Sequence, residues 1–113
     1  PPESKAIEKI CFSSCGADSF QSQLITRGVK QVIVVGIEAH ICVTQTVLDL
    51  LARGLEVHLL VDCITSRKRE SKEVALARLT QAGAVPSNLE MALFEMMRTA
   101  DSPQFKAVQS LIK

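Results

Sequence analysis

Two kinds of apolar run alternate along this chain. Gln31 to Val35 is a β-branched stretch with no polar interruption after Gln31, as expected for a strand buried on both faces of a parallel sheet. Glu56 to Val61 repeats that character, and Ala84-Val85 predicts a third, short strand. Ala6 to Ile10 predicts a further short strand upstream. Between them the apolar residues recur at helical spacing. Asp18 is placed as a cap, with Asp18-x-x-Gln21 as a capping box, ahead of Phe20, Leu24 and Ile25, and Gly28 follows as a C′ residue would.

From His40 to Arg53 the spacing is again helical. Val43, Val47, Leu50 and Leu51 share a face, and Gly54 is the stop. Asp62 to Arg69 is a polar connection. Ser71 to Ala82 aligns Ala75, Leu79 and Ala82 before Gly83. Ser87-x-x-Glu90 forms a capping box heading Leu89, Leu93, Met96 and Met97. Ser102-Pro103 supplies a cap and a first-turn proline to a last helix with Phe105, Val108 and Ile112 inward.

Alternating strands and helices predict an α/β fold, with parallel strands joined by right-handed crossovers. Ligands in such sheets bind beyond the carboxyl ends of the strands. Gly36 to Cys42 and Asp62 to Ser66 both follow strands, so they share one rim. Lys9 to Ser13 joins them if Ala6 to Ile10 runs the same way.

Composition narrows the classes. The 113 residues form at most one domain, and 47% apolar with 22% charged residues is ordinary for a globular protein. Thirteen Lys and Arg against twelve Asp and Glu leave a net charge of +1, with no concentrated basic field for nucleic acid or a membrane surface. No apolar run approaches the roughly 20 residues of a bilayer span. The opening Pro1-Pro2-Glu3-Ser4 matches neither a signal peptide nor a typical transit peptide. Four cysteines, Cys11, Cys15, Cys42 and Cys63, read as reduced thiols, which predicts a cytoplasmic protein, with a mitochondrial one as the other option. Cys11 and Cys15 lack a second close Cys/His pair, so no zinc site is expected.

Cys42 stands where the strand run passes into the helical pattern. A cysteine there meets unpaired N–H groups and the positive end of the helix dipole. Both favour thiolate and stabilise an oxyanion beside the sulfur. α/β enzymes keep nucleophiles at such junctions.

Three segments in this order resemble one family. They are Glu8-Lys9-Ile10-Cys11-Phe12-Ser13, then Val34-Val35-Gly36-Ile37-Glu38-Ala39-His40-Ile41-Cys42-Val43, then Leu51-Ala52-Arg53-Gly54-Leu55-Glu56-Val57. The family is the isochorismatase-like cysteine hydrolases. The ending, Ser102-Pro103-Gln104-Phe105-Lys106 through Leu111-Ile112-Lys113, resembles its eukaryotic isochorismatase domain-containing branch. The resemblance implies a Rossmann-like, three-layer α/β/α fold with a mainly parallel sheet, larger than this chain. The segment would be its C-terminal portion, with the N-terminal strands missing.

Amidases of this family use an Asp, a Lys and a Cys. By motif the Lys is Lys9 and the nucleophile Cys42, while the Asp-x-Gln motif of the first strand has no counterpart here. In the family scheme that Asp shuttles the proton from thiol to leaving amine, and Lys9 would support the thiolate. Losing one member of such a unit costs orders of magnitude in rate. The resemblance also implies an oxyanion hole from the backbone amides of Glu38 and Cys42, with a cis bond between Ile37 and Glu38. Many relatives have Ala at the Glu38 position, so an acidic side chain there is a departure.

Plainer readings stand beside these. Without that motif context Cys42 reads as an inert buried cysteine, and Lys9 alone as a surface lysine. Phe12 and His40 are candidates for the substrate pocket, although His40 also fits a first-turn or partner contact. Cys11, Cys15 and Cys63 read as spectators. Arg67-Lys68-Arg69 is a solvated loop or a contact for an anionic group. Two function classes follow. One is a thiol hydrolase of a small amide, with no metal or other cofactor. The other is an impaired family member acting as an interaction or scaffold protein. The family's habit of assembly, together with an uncovered sheet edge, predicts a homo-oligomer.

Overall fold

The computed structural model describes residues 6–112, and among them three parallel strands and five α-helices form the fold. The helices are α1 (Asp18–Thr26), α2 (Thr44–Ala52), α3 (Arg69–Ala82), α4 (Leu89–Met97) and α5 (Phe105–Leu111). The strands are β1 (Gln31–Ile37), β2 (Glu56–Thr65) and β3 (Val85–Ser87), in the spatial order β1-β2-β3. The fold is α/β, as the alternation predicts.

The core lies on one face of this sheet. Val34 and Leu59 are register partners, so their side chains share that face, where Val43, Val47 and Leu50 from the Cys42 segment and Ala75 and Leu79 from α3 meet them. Leu60 and Asp62 belong to the opposite face, which α4 covers at β2; Asp62 accepts the Leu89 N–H at 3.0 Å. α5 joins α4 through an edge-to-face contact of Phe94 with Phe105, 6.1 Å between ring centroids.

β1 departs from the expectation of a strand buried on both faces. Val34 is buried, but Ile33, Val35 and Ile37 on the other side are 45, 53 and 67% exposed. An unbroken apolar run reports that both faces suit burial, not which neighbour covers them. Among the described residues nothing covers this face at β1.

Local boundaries differ where side chains found other partners. Ala6 to Ile10 is not a strand: it pairs with no ladder, and Lys9 instead folds back onto the carbonyls of Cys11 and Phe12. Asp18 is the first residue of α1 rather than its cap, and Gln21 donates to the Cys15 carbonyl instead of closing a capping box. β2 runs through the expected Asp62–Arg69 connection as far as Thr65. An irregularity lets it pair with β1 a second time, at Gly36 with Ile64 and Ile37 with Thr65. At α4 the cap is Asn88, which accepts the Met91 N–H at 2.8 Å, rather than Ser87. The last helix opens at Phe105, later than Ser102-Pro103 predicts.

Candidate functional site: a lysine and a cysteine at the sheet rim

Past Val35 the chain leaves the sheet by a sharp turn. Gly36 has φ of 119°, a conformation that side-chain-bearing residues rarely adopt, and the Ile37–Glu38 peptide is cis, as the resemblance implies. A single π turn, Ala39–Val43, then carries Cys42 into α2. The helical pattern from His40 therefore begins as a π turn rather than as α-helix. The Glu38 carbonyl accepts the N–H groups of Ile41 and Val43 at 3.0 and 3.2 Å, and Thr44 Oγ1 donates to the Ala39 carbonyl at 2.6 Å. These bonds satisfy the carbonyls that the widened turn leaves over. Cys42 is half-buried at the mouth of this turn.

Lys9 arrives from an irregular segment. Its Nζ lies 2.9 Å from the Cys11 carbonyl, 2.9 Å from the Phe12 carbonyl and 3.7 Å from Cys42 Sγ. An ammonium has three protons, and here three acceptors surround it. Two neutral carbonyls orient the cation and the third direction is the sulfur. The structure thus brings together the two residues singled out in sequences 33 positions apart.

The opposite flank of Cys42 belongs to the β2–α3 connection. His40 Nδ1 is 2.8 Å from Ser66 Oγ. Glu38 accepts from both the N–H and the Nε of Arg67, at 3.0 to 3.1 Å. His40, Arg67, Lys68 and Ser71 line a cavity of about 310 Å³. The rim expected from topology is therefore real for β1 and β2, although its second half is Ser66 to Lys68. Phe12 is 59% exposed and lines neither this cavity nor a more open groove of about 830 Å³ around Glu8 to Cys11 and Gly16 to Ser19.

The other cysteines have distinct settings. Cys15 is in the core, and burial pushes its thiol above the ordinary range. Cys63 is also raised, by desolvation first and then by Asp62, whose Oδ1 lies 3.5 Å from its sulfur. Glu56 is held below the usual carboxylate range by hydrogen bonds from His58 and then Gln31. Among the described residues no group of three His, Cys, Asp or Glu side chains is arranged to hold a metal ion. No described helix is long and apolar enough to cross a membrane.

The Isochorismatase domain family matches residues 1–91. The chain belongs to this family. Isochorismatase domain-containing protein 2 of Bos taurus is 44% identical over 93% of this chain and 51% of its own length. The secreted isochorismatase effector Isc1 of Phytophthora sojae is 37% identical over 99% of this chain and 54% of its own. The chain thus spans about half the length of the curated relatives it matches. Among solved structures, the MAR1 ribonuclease of Caenorhabditis elegans superposes with a TM-score of 0.85 at 42% identity, over 92% of this chain and 53% of that one. A nicotinamidase from Bacillus subtilis matches with a TM-score of 0.68 at 25% identity, over 73 and 46% of the two chains.

Ser13, Thr46, Asp49 and Arg67 have parts around this centre that no motif in the sequence announces. Ser13 and Arg67 stand inside stretches already singled out. Thr46 and Asp49 lie at i+4 and i+7 from Cys42, a spacing that would have placed them on its helix face.

Proposed function

We propose that Lys9 and Cys42 are the nucleophilic centre of a cysteine-dependent hydrolase acting on a small amide through a thioester. The observation that carries this reading is the 3.7 Å approach of an oriented ammonium to a sulfur at a strand-to-helix turn. A cation so placed favours the thiolate, the form that attacks carbonyl carbon. The nicotinamidase likeness supports amide chemistry within the same fold.

In this scheme Cys42 Sγ attacks the carbonyl carbon, and the developing oxyanion falls to the N–H groups of Glu38 and Cys42. The C–N bond breaks as the amine takes up the thiol's proton, which the family scheme passes through a carboxylate. Water then adds to the thioester, releasing the acid and returning its proton to Cys42 Sγ. Among the described residues no carboxylate is hydrogen-bonded to Cys42, and the nearby Glu38 carboxylate is engaged by Arg67. Acylation by a substrate whose leaving group departs without a proton should therefore outrun amide turnover in this chain. That same lack favours the second reading, a family member retained as an interaction or scaffold protein.

A p-nitrophenyl ester of a small acid separates the two, with peptide mass spectrometry locating the acyl group. The hydrolase reading predicts faster acylation at Cys42 than at Cys11 or Cys63, and none at that position in Cys42→Ala. Equal labelling of Cys42 and Cys63 would leave only the scaffold reading. RNA cleavage that survives Cys42→Ala would instead bring the chain to the activity for which the worm MAR1 ribonuclease is named.

A further inference from the structure

We propose that Thr46 and Asp49 of α2 are positioning residues, holding the Lys9 segment so that its ammonium faces Cys42. This rests on the reading of Lys9 and Cys42 as a nucleophilic pair. Lys9 itself is solvent-exposed, and its segment is neither helix nor strand, so its local structure alone does not fix where the cation lies. The fixing comes from the next few residues.

Ser13 Oγ donates to Asp49 Oδ2 at 2.6 Å and accepts the Cys15 N–H at 3.1 Å. The Ser14 N–H donates to Thr46 Oγ1 at 2.9 Å. Ser13 and Thr46 are each 8% exposed and Cys15 is 2% exposed, so the two hydroxyls are shielded from competing water, whereas the Asp49 carboxylate that Ser13 meets is itself exposed. Gly16 completes the turn by close approach, since a Cβ there would come within 2.7 Å of Cys11 Sγ. The carbonyls of Cys11 and Phe12, which orient the ammonium, thus belong to a segment pinned to α2 immediately downstream.

Cys42, Thr46 and Asp49 follow one another at i, i+4 and i+7, a single helical stripe. The stripe carries the nucleophile at its N-terminal end and two anchors for the cation's segment further along. The π turn that carries the nucleophile runs directly into the helix that anchors the cation's segment, so the two together set the cation–sulfur distance. Other charged or titratable groups nearby include Glu8, Cys11 and Asp18, which line one groove with Lys9. They also include Glu38, engaged by Arg67, His40, turned to Ser66, and Arg53, which lies with Asp49 near Cys15.

The test is the rate of iodoacetamide labelling at Cys42 at pH 7 on the whole chain, read by peptide mass spectrometry with Cys63 as internal reference. Lys9→Met should slow Cys42 on the order of ten-fold, through loss of the adjacent cation. Asp49→Ala and Thr46→Val should each slow it roughly three- to five-fold, as the segment loosens. Asp49→Asn and Thr46→Ser keep an acceptor for Ser13 and Ser14 and should restore the rate to within about two-fold, which separates positioning from the charge of Asp49. In a Lys9→Met background Asp49→Ala should add nothing, because the anchor acts only through Lys9.

An Asp49→Ala protein that melts as wild type yet labels at the wild-type rate, while Lys9→Met slows, overturns this inference and leaves the nucleophilic pair standing. So does equal slowing by Asp49→Ala with and without Lys9. Wild-type labelling of Cys42 no faster than Cys63, unchanged by Lys9→Met, overturns the pair and with it the need for an anchor. If Asp49→Ala fails to fold, Thr46→Val against Thr46→Ser decides by the same criteria.

Discussion

The two flanks of Cys42 are built from similar polar residues and behave as opposites. On the Lys9 flank, Ser13, Thr46 and Cys15 are buried, and their hydrogen bonds tie one segment to one helix. On the Arg67 flank the side chains of Arg67 and Glu38 are 79 and 20% exposed, and Arg67 lines the cavity with His40, Lys68 and Ser71. Burial makes the difference. A hydrogen bond shielded from water fixes geometry, whereas an exposed ion pair contributes little and exchanges readily with solvent. The first flank is suited to setting the cation–sulfur distance, and the second to adapting around whatever enters the rim.

Four changes probe that contrast, from the largest effect to the smallest. Cys42→Ala should reduce ester cleavage by orders of magnitude, as removal of a nucleophile does, measured by p-nitrophenolate release. Retained cleavage would mean that neither flank serves Cys42. Ser13→Ala removes a donor to Asp49 and the acceptor for the Cys15 N–H. It should cost about 1–3 kcal/mol in urea denaturation. Glu38→Ala or Arg67→Ala should cost under about 1 kcal/mol in the same assay. A cost for Arg67→Ala matching that of Ser13→Ala would erase the contrast.

The smallest effect is one of pH. Burial raises the Cys15 thiol above its unfolded value, so the folded state keeps its proton longer. The stability this gives is complete below the unfolded thiol value of roughly 8.5 and fades as pH rises through the folded one. Denaturation midpoints should therefore fall on the alkaline side, and less so in Cys15→Ala. An identical alkaline slope in the two proteins would remove Cys15 from the account.

Much of this was legible in the sequence where the cause is local. The β-branched run and the spacing of Val43, Val47 and Leu50 predict β1 and the helix after it, and Gly36 and Cys42 mark the turn between them. The family motif added the cis bond at Ile37–Glu38 and the pairing of Lys9 with Cys42, which no periodicity encodes. What was not legible depends on distant partners. Ala6 to Ile10 has apolar and polar residues suited to a strand, but Lys9 satisfies nearby carbonyls instead of a ladder. Thr46 and Asp49 read as polar positions of an amphipathic helix until Ser13 and Ser14 arrive from 32 to 36 residues away. The extension of β2 to Thr65 likewise depends on a second pairing with β1 beyond a bulge.

The most direct test of the Lys9–Cys42 pair is the labelling rate of Cys42 relative to Cys63 at pH 7, in wild type and in Lys9→Met. The account predicts that Cys42 reacts faster than Cys63 in wild type and loses that advantage, on the order of ten-fold, when the ammonium is removed. Equal rates at the two cysteines, unchanged by Lys9→Met, would contradict it.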